Sequence, residues 1–314
     1  MDSYELQKLA RHARSAREAG MALILGSALL AVFLFVPLGG TKVPAPTAVA
    51  TPTGPDTFAQ IPLQAKAAIV YDLDTGETLY EKNADAQLPL ASLTKLLAVY
   101  AALDALLPGT PVTIRAGATQ LEAPRAFSAG QTFSFVDLAR LTLTASLNDG
   151  AAAIVEAAAE RENRSGTDIL AGAAAALSLS QTYAVNGSGL DVSTAISGGY
   201  GSARDFARLA GALVKRAPMI AEATTQHFTE AISTGGTRLK VKNTDPMVDT
   251  IPRLLLSKTG YTDLAGGNLA LVFDSGIGHP IAVVVLGSSE KARFTDGTAL
   301  VAATIAHFAG VASL

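Results

Sequence analysis

From Met21 to Leu38 the chain reads MALILGSALLAVFLFVPL, eighteen residues without a charge. As a helix that run would be about 27 Å long, close to the hydrocarbon thickness of a bilayer, roughly 30 Å. It constrains the fold more than any other stretch, because it divides the chain into parts that do not share one core. Lys8, Arg11, Arg14 and Arg17 precede it, whereas only Lys42 follows closely. Positive charge on one flank predicts a cytoplasmic N-terminus over 1–19, a transmembrane signal anchor over 20–38, and a single-pass protein of the plasma membrane whose remainder lies outside the cytoplasm. A signal peptide cut after Ala48-Val49-Ala50 is the alternative, but that cut would fall far beyond the apolar run.

Residues 39–62 are rich in Pro, Thr and Ala and almost free of charge, which predicts an extended linker. What remains, 63–314, has the length of one large domain. With 49% hydrophobic residues there is ample material for its core, and a net charge of -3 provides no basic footprint for nucleic acid. The absence of cysteine removes disulfides, thiol nucleophiles and Cys-ligated zinc. Four histidines without an H-E-x-x-H pair, and no carboxylates at calcium-loop spacing, predict no metal site, and no cofactor is expected.

Strand-like runs at Ala67–Leu73 and Glu77–Glu81 flank Asp74-Thr75-Gly76 and predict a hairpin. ASLTKLLAVYAALDALLP then has helical spacing up to Pro108, and the alanine-rich region from Val112 to Ala217 reads as mostly helical. Strands return at Leu254–Tyr261, Asn268–Phe273 and Ile281–Gly287, followed by a helix over Thr298–Phe308. Strands at both ends with helices between them predict an α+β domain whose terminal strands share one antiparallel sheet.

Within ASLTKLL, Ser92 and Lys95 are three apart, so on a helix the hydroxyl and the amine are neighbours. A Ser-x-x-Lys pair alone is weak, and the chain has a second at Ser288 and Lys291. Two further triplets change its weight. Ser146-Leu147-Asn148 is the one Ser-x-Asn in the sequence, and Lys258-Thr259-Gly260 the one Lys-Thr-Gly. Ser-x-x-Lys, Ser-x-Asn and Lys-Thr-Gly, in that order, resemble the motif set of the serine penicillin-interacting enzymes. LTASLNDGAAAIVE, NGSGLD, GSARDFARL, SKTGYTDLAGGNL and VVVLGSSEKARFTD extend the resemblance over nearly the whole domain. They are similar to blocks of the D-alanyl-D-alanine carboxypeptidases, the low-molecular-weight penicillin-binding proteins.

That resemblance implies a β-lactamase/transpeptidase-like fold: an antiparallel five-stranded sheet flanked by helices, with a mostly helical subdomain. It implies hydrolysis of the terminal D-Ala-D-Ala bond of peptidoglycan stem peptides through an acyl-enzyme on Ser92, with β-lactams as covalent inhibitors. Lys95 would be the base, and Ser146, between the two lysines, the proton relay. Asn148 would hold the substrate amide, while Lys258, Thr259 and Arg293 would bind its carboxylate. The backbone N–H groups of Ser92 and Tyr261 would form the oxyanion hole. A class A β-lactamase needs a glutamate after Ser-x-Asn, and none occurs between Asn163 and Ile220. A D,D-endopeptidase acting on wall cross-links, and a non-catalytic peptidoglycan-binding protein on the same scaffold, remain alternatives. Individually the residues have plainer readings: Ser92 as a helix cap, Ser146 and Asn148 as turn formers, Asn186-Gly187-Ser188-Gly189 as a structural turn, Lys258 and Arg293 as solvated charges.

Overall fold

A computed structural model describes residues 57–59 and 61–312, together with Arg14, Ser15, Arg17, Gly20 and Met21, which are helical. The expected anchor over 20–38 lies outside the described residues except for Gly20 and Met21. Among the described residues no helix is long and apolar enough to cross a membrane. The chain divides into two compact units, residues 1–53 and 54–314, and every described strand belongs to the second.

The chain enters a hairpin of β1 (Ala67–Asp72) and β2 (Thr78–Lys82), then the short strand β3 (Leu88–Pro89). A 3-10 turn over Ala91–Leu93 leads into α1 (Thr94–Ala102). The small strands β4 (Pro111–Thr113) and β5 (Thr132–Ser134) pair ahead of three helices, α2 (Phe135–Ala145), α3 (Asn148–Glu162) and α4 (Gly166–Ala176). After them come β6 (Tyr183–Ala184), β7 (Gly199–Gly201), α5 (Ala203–Arg216) and α6 (Pro218–Ala223). A second hairpin, β8 (Phe228–Ile232) and β9 (Arg238–Lys242), precedes three long strands and a last helix: β10 (Leu254–Thr262), β11 (Gly266–Asp274), β12 (Pro280–Ser288) and α7 (Ala292–Ala312). The central sheet has the order β10-β11-β12-β1-β2, every neighbouring pair antiparallel, so the two ends of the domain meet where β12 pairs with β1.

Alternation along these strands divides the apolar residues between two cores. Ile69, Ala270, Val272, Ala282 and Val284 face the core shared with α1, α2, α3 and α5. Val70, Leu269, Leu271, Phe273, Val283 and Val285 face the other, beneath α7. Helices cover both faces, which explains why the strands read as unbroken apolar runs such as Ile281–Leu286. Helix α1 is buried on all sides, consistent with its lack of a polar face. Ser134, Ser165 and Ser202 cap α2, α4 and α5, each hydroxyl accepting from the backbone N–H of an Asp three residues on.

Several boundaries differ from the sequence reading. Helix α1 ends at Ala102 instead of running to Pro108, and Leu103–Ala105 continue as turn. The hairpin of β8 and β9 was not expected. One face of it is solvated, and its polar alternation around Ser233-Thr234-Gly235-Gly236 lacks a strong apolar signal. Helix α7 begins at Ala292, six residues before the expected start at Thr298. Phe58, assigned to the linker, is buried and stacks on Tyr80 at 5.8 Å between ring centroids.

Candidate active site

Leu90, Ala91 and Ser92 form the tight entry to α1. Ala91 has φ 48°, a left-handed conformation that costs a residue with a Cβ about 1–3 kcal/mol and is held only by firm surroundings. Those surroundings are two glycines. A Cβ on Gly189 would lie 1.9 Å from the Ala91 carbonyl oxygen. One on Gly260 would lie 2.9 Å from the Leu90 carbonyl oxygen and 3.2 Å from the Ser92 amide nitrogen. The Lys-Thr-Gly glycine is therefore where β10 lies directly against the turn that carries Ser92.

In the first turn of α1, Lys95 is completely buried. Its Nζ lies 2.8 Å from Ser92 Oγ and donates to Asn148 Oδ1 and to the Ser188 carbonyl, both at 2.7 Å. The last two partners can only accept, so in a neutral amine they take both N–H bonds. The lone pair is then left facing the Ser92 hydroxyl, the arrangement a general base requires. The electrostatics favour that neutral form. Burial first, then the nearby Lys258 charge, hold the Lys95 pKa well below the ordinary lysine value, with Asp149 opposing.

Ser146 sits beyond the last turn of α2 with φ 58° and ψ 38°, and its hydroxyl accepts from Lys258 Nζ at 2.9 Å. Lys258, on β10, also donates to the Thr259 carbonyl at 2.7 Å. Burial and the Arg293 charge bring its pKa down to about 7, against the pull of Asp245. Thr259 pairs with Thr244 hydroxyl to hydroxyl at 2.7 Å. From the start of α7, Arg293 reaches back so that its Nη1 donates to the Gly260 carbonyl at 2.7 Å, while its buried Nε has no hydrogen-bond partner among the described residues. Two cations thus lie along one strand, with no salt bridge to either among the described residues, which suits an anion arriving from outside.

All eight expected site residues lie in three adjoining regions: the α1 entry, the α2–α3 junction, and β10 with the start of α7. Ser92, Lys95 and Asn148 form one hydrogen-bonded cluster, and Ser146 and Lys258 another. Tyr261 follows Gly260 with its side chain exposed. Two details add to the expectation. The Ser146 hydroxyl is hydrogen-bonded to Lys258 rather than shared between the lysines, since all three positions around Lys95 Nζ are filled by other groups. Asn148 Oδ1 accepts from Lys95, and its Nδ2 gives one of its two hydrogens to the Glu122 carbonyl at 2.9 Å.

Four contributors were missed by sequence reasoning. The Ser188 carbonyl grips Lys95, and the signal was the NGSGLD block read as a plain turn. Asp149 accepts from the Ala126 and Phe127 amides and so fixes the loop that Asn148 touches. Asp245 accepts from Ser257 Oγ beside Lys258, and Thr244 supports Thr259. Both lie in Asn243-Thr244-Asp245, which has no chemical signature of its own.

Helices on both faces of an antiparallel sheet, with a serine hydroxyl against a buried lysine of lowered pKa at a helix entry, define a serine hydrolase that does without histidine. Comparison with known proteins is specific about which. Residues 53–290 match the model of the D-alanyl-D-alanine carboxypeptidase family, peptidase family S11. A D-alanyl-D-alanine endopeptidase of Pseudomonas aeruginosa is 31% identical over 264 residues, 81% of this chain and 82% of that one. The D-alanyl-D-alanine carboxypeptidase DacF of Bacillus subtilis is 28% identical over 79% of this chain and 64% of its own length. Among solved structures, penicillin-binding protein D2 from Listeria monocytogenes in its ampicillin-bound form matches with a TM-score of 0.66 and 28% identity, over 78% of this chain and 98% of that one. The chain belongs to the D-alanyl-D-alanine carboxypeptidase family of serine peptidases.

Proposed function

We propose that the protein is a serine D,D-carboxypeptidase that removes the terminal D-Ala from peptidoglycan stem peptides. The observation that carries this reading is the environment of Lys95: a buried amine whose other two hydrogen-bond positions are taken by pure acceptors, 2.8 Å from Ser92 Oγ. Ser92 Oγ attacks the carbonyl carbon of the penultimate D-Ala as its proton passes to Lys95. The oxyanion is held by the Ser92 and Tyr261 backbone N–H groups. Ser146 gives its hydroxyl proton to the departing amine and takes one from Lys258 Nζ, its hydrogen-bond donor, as the C–N bond breaks to release D-Ala; Lys95 keeps the Ser92 proton for the hydrolysis step. Water then cleaves the acyl ester on Ser92. Lys258, Thr259 and Arg293 hold the carboxylate of the leaving residue, and β-lactams, which carry a carboxylate beside a strained amide, acylate the same serine.

A second reading keeps this chemistry and changes the bond. Relatives aligned over more than four fifths of both chains, from Pseudomonas aeruginosa and Escherichia coli, are named D-alanyl-D-alanine endopeptidases. That favours cleavage of a D-Ala cross-link, where the leaving amine belongs to a second stem peptide. Incubation of the purified protein with a D-Ala-D-Ala pentapeptide and, separately, with a cross-linked muropeptide dimer distinguishes the two. Free D-Ala from the first supports the carboxypeptidase; monomers from the second, with the pentapeptide intact, overturn it in favour of the endopeptidase. The apolar run over 20–38 further supports a location at the plasma membrane, with the catalytic domain outside the cytoplasm.

A further inference from the structure

Thr259 has one hydroxyl proton, and its hydroxyl oxygen is within hydrogen-bond distance of Thr244 Oγ1, at 2.7 Å. A carboxylate can only accept. When one reaches Thr259, the Thr259 proton must turn to it, and the contact with Thr244 survives only if Thr244 becomes the donor. We infer that Thr244 is a positioning residue that orients the Thr259 hydroxyl toward the substrate carboxylate, an inference that rests on the reading of Thr259 as a ligand of that carboxylate.

The setting of Thr244 is built for a fixed role. On one side Asn243 is buried, its Nδ2 donating to the carbonyls of Thr224 at 2.7 Å and Gln226 at 2.9 Å. On the other, Asp245 accepts from Ser257 Oγ at 2.6 Å and from the Met247 amide at 2.8 Å. Between these anchors the Thr244 backbone N–H donates to the Thr144 carbonyl at 3.1 Å. Thr144 lies two residues before Ser146 in the last turn of α2. One residue therefore ties the strand bearing Thr259 to the helix end that delivers Ser146. Thr259 is 4% exposed, so water is a poor substitute for the partner it would lose.

Thr244→Val keeps the shape and the backbone hydrogen bond and removes only the hydroxyl. The test measures second-order acylation of parent, Thr244→Val and Thr244→Ser by benzylpenicillin, which carries the carboxylate, and by its methyl ester, which does not. Intact-protein mass spectrometry gives both rates. We expect Thr244→Val to slow the acid about three- to tenfold, the range of one hydrogen bond, to change the ester less than twofold, and Thr244→Ser to restore the parent ratio. Equal slowing of acid and ester would reduce Thr244 to a structural post, and no slowing of either would remove its role; each overturns the inference alone. A parent protein that neither compound acylates would overturn the D,D-peptidase reading itself, and the inference with it.

Discussion

Replacing Lys258 with methionine should abolish turnover and yet favour the fold at acid pH relative to alkaline pH. The Lys258 pKa is about 7 in the folded protein, against 10.5 as the reference for an unburied lysine. Between those values the unfolded chain binds more protons than the native one, so ionisation of this group opposes folding most strongly below about pH 7 and less as pH rises. At 1.36 kcal/mol per unit, the penalty is about 5 kcal/mol near pH 6 and about 3 near pH 8.5. Methionine removes it, and leaves Ser146 Oγ and the Thr259 carbonyl short of a donor, a loss of about 1–3 kcal/mol each that does not vary with pH. Near neutrality the two effects are of similar size, so the change with pH is the diagnostic quantity. Relative to the parent, Lys258→Met should be about 2 kcal/mol better off near pH 6 than near pH 8.5. Relief of the charge that depresses Lys95 acts in the same direction. Urea unfolding of both proteins at the two pH values, followed by circular dichroism, measures it. A difference independent of pH, or one that grows with pH, would refute the assignment of Lys258 as a destabilised buried cation.

Four further outcomes are expected. If a protonated Lys258 is needed for catalysis, kcat/KM should fall as pH rises through about 7. Arg293→Gln removes a cation that lowers the Lys258 pKa, so that alkaline limb should move to higher pH while KM for carboxylate-ended peptides rises; a stationary limb would show that Lys258 does not set it. Gly260→Ala forces a methyl to 2.9 Å from the Leu90 carbonyl oxygen and should cut penicillin acylation at least tenfold, with the far-ultraviolet circular dichroism unchanged. Leu97→Ala, at the centre of α1, should cost about 2–5 kcal/mol in denaturant unfolding; a loss below about 1 would mean that the core there collapses around the void.

The sheet was legible because its strands are long and apolar on both faces, as at Ala67–Val70 and Ile281–Leu286, and turn residues punctuate them. The triplets carrying Ser92, Ser146 and Lys258 were legible because chemistry restricts the residue types at fixed spacing. What escaped is what a string of letters does not encode: contacts made by backbone, or between segments far apart in sequence. Lys95 is held by the carbonyl of Ser188, 93 residues away, and any residue has a carbonyl. The left-handed Ala91 looks ordinary in sequence, and the close approach of Gly189 and Gly260 to its turn comes from across the fold. That Asn148 holds Lys95 with its amide oxygen and Glu122 with one N–H likewise emerges only in the packed structure.

The most direct test of Ser92 as the nucleophile is mass spectrometry of the intact protein after incubation with benzylpenicillin, with peptide mapping of any adduct. One penicilloyl group per chain, on the peptide containing Ser92 and absent from Ser92→Ala, is the predicted result. A folded protein that gains no mass, or gains it at Ser146 or another residue, would contradict the assignment of Ser92.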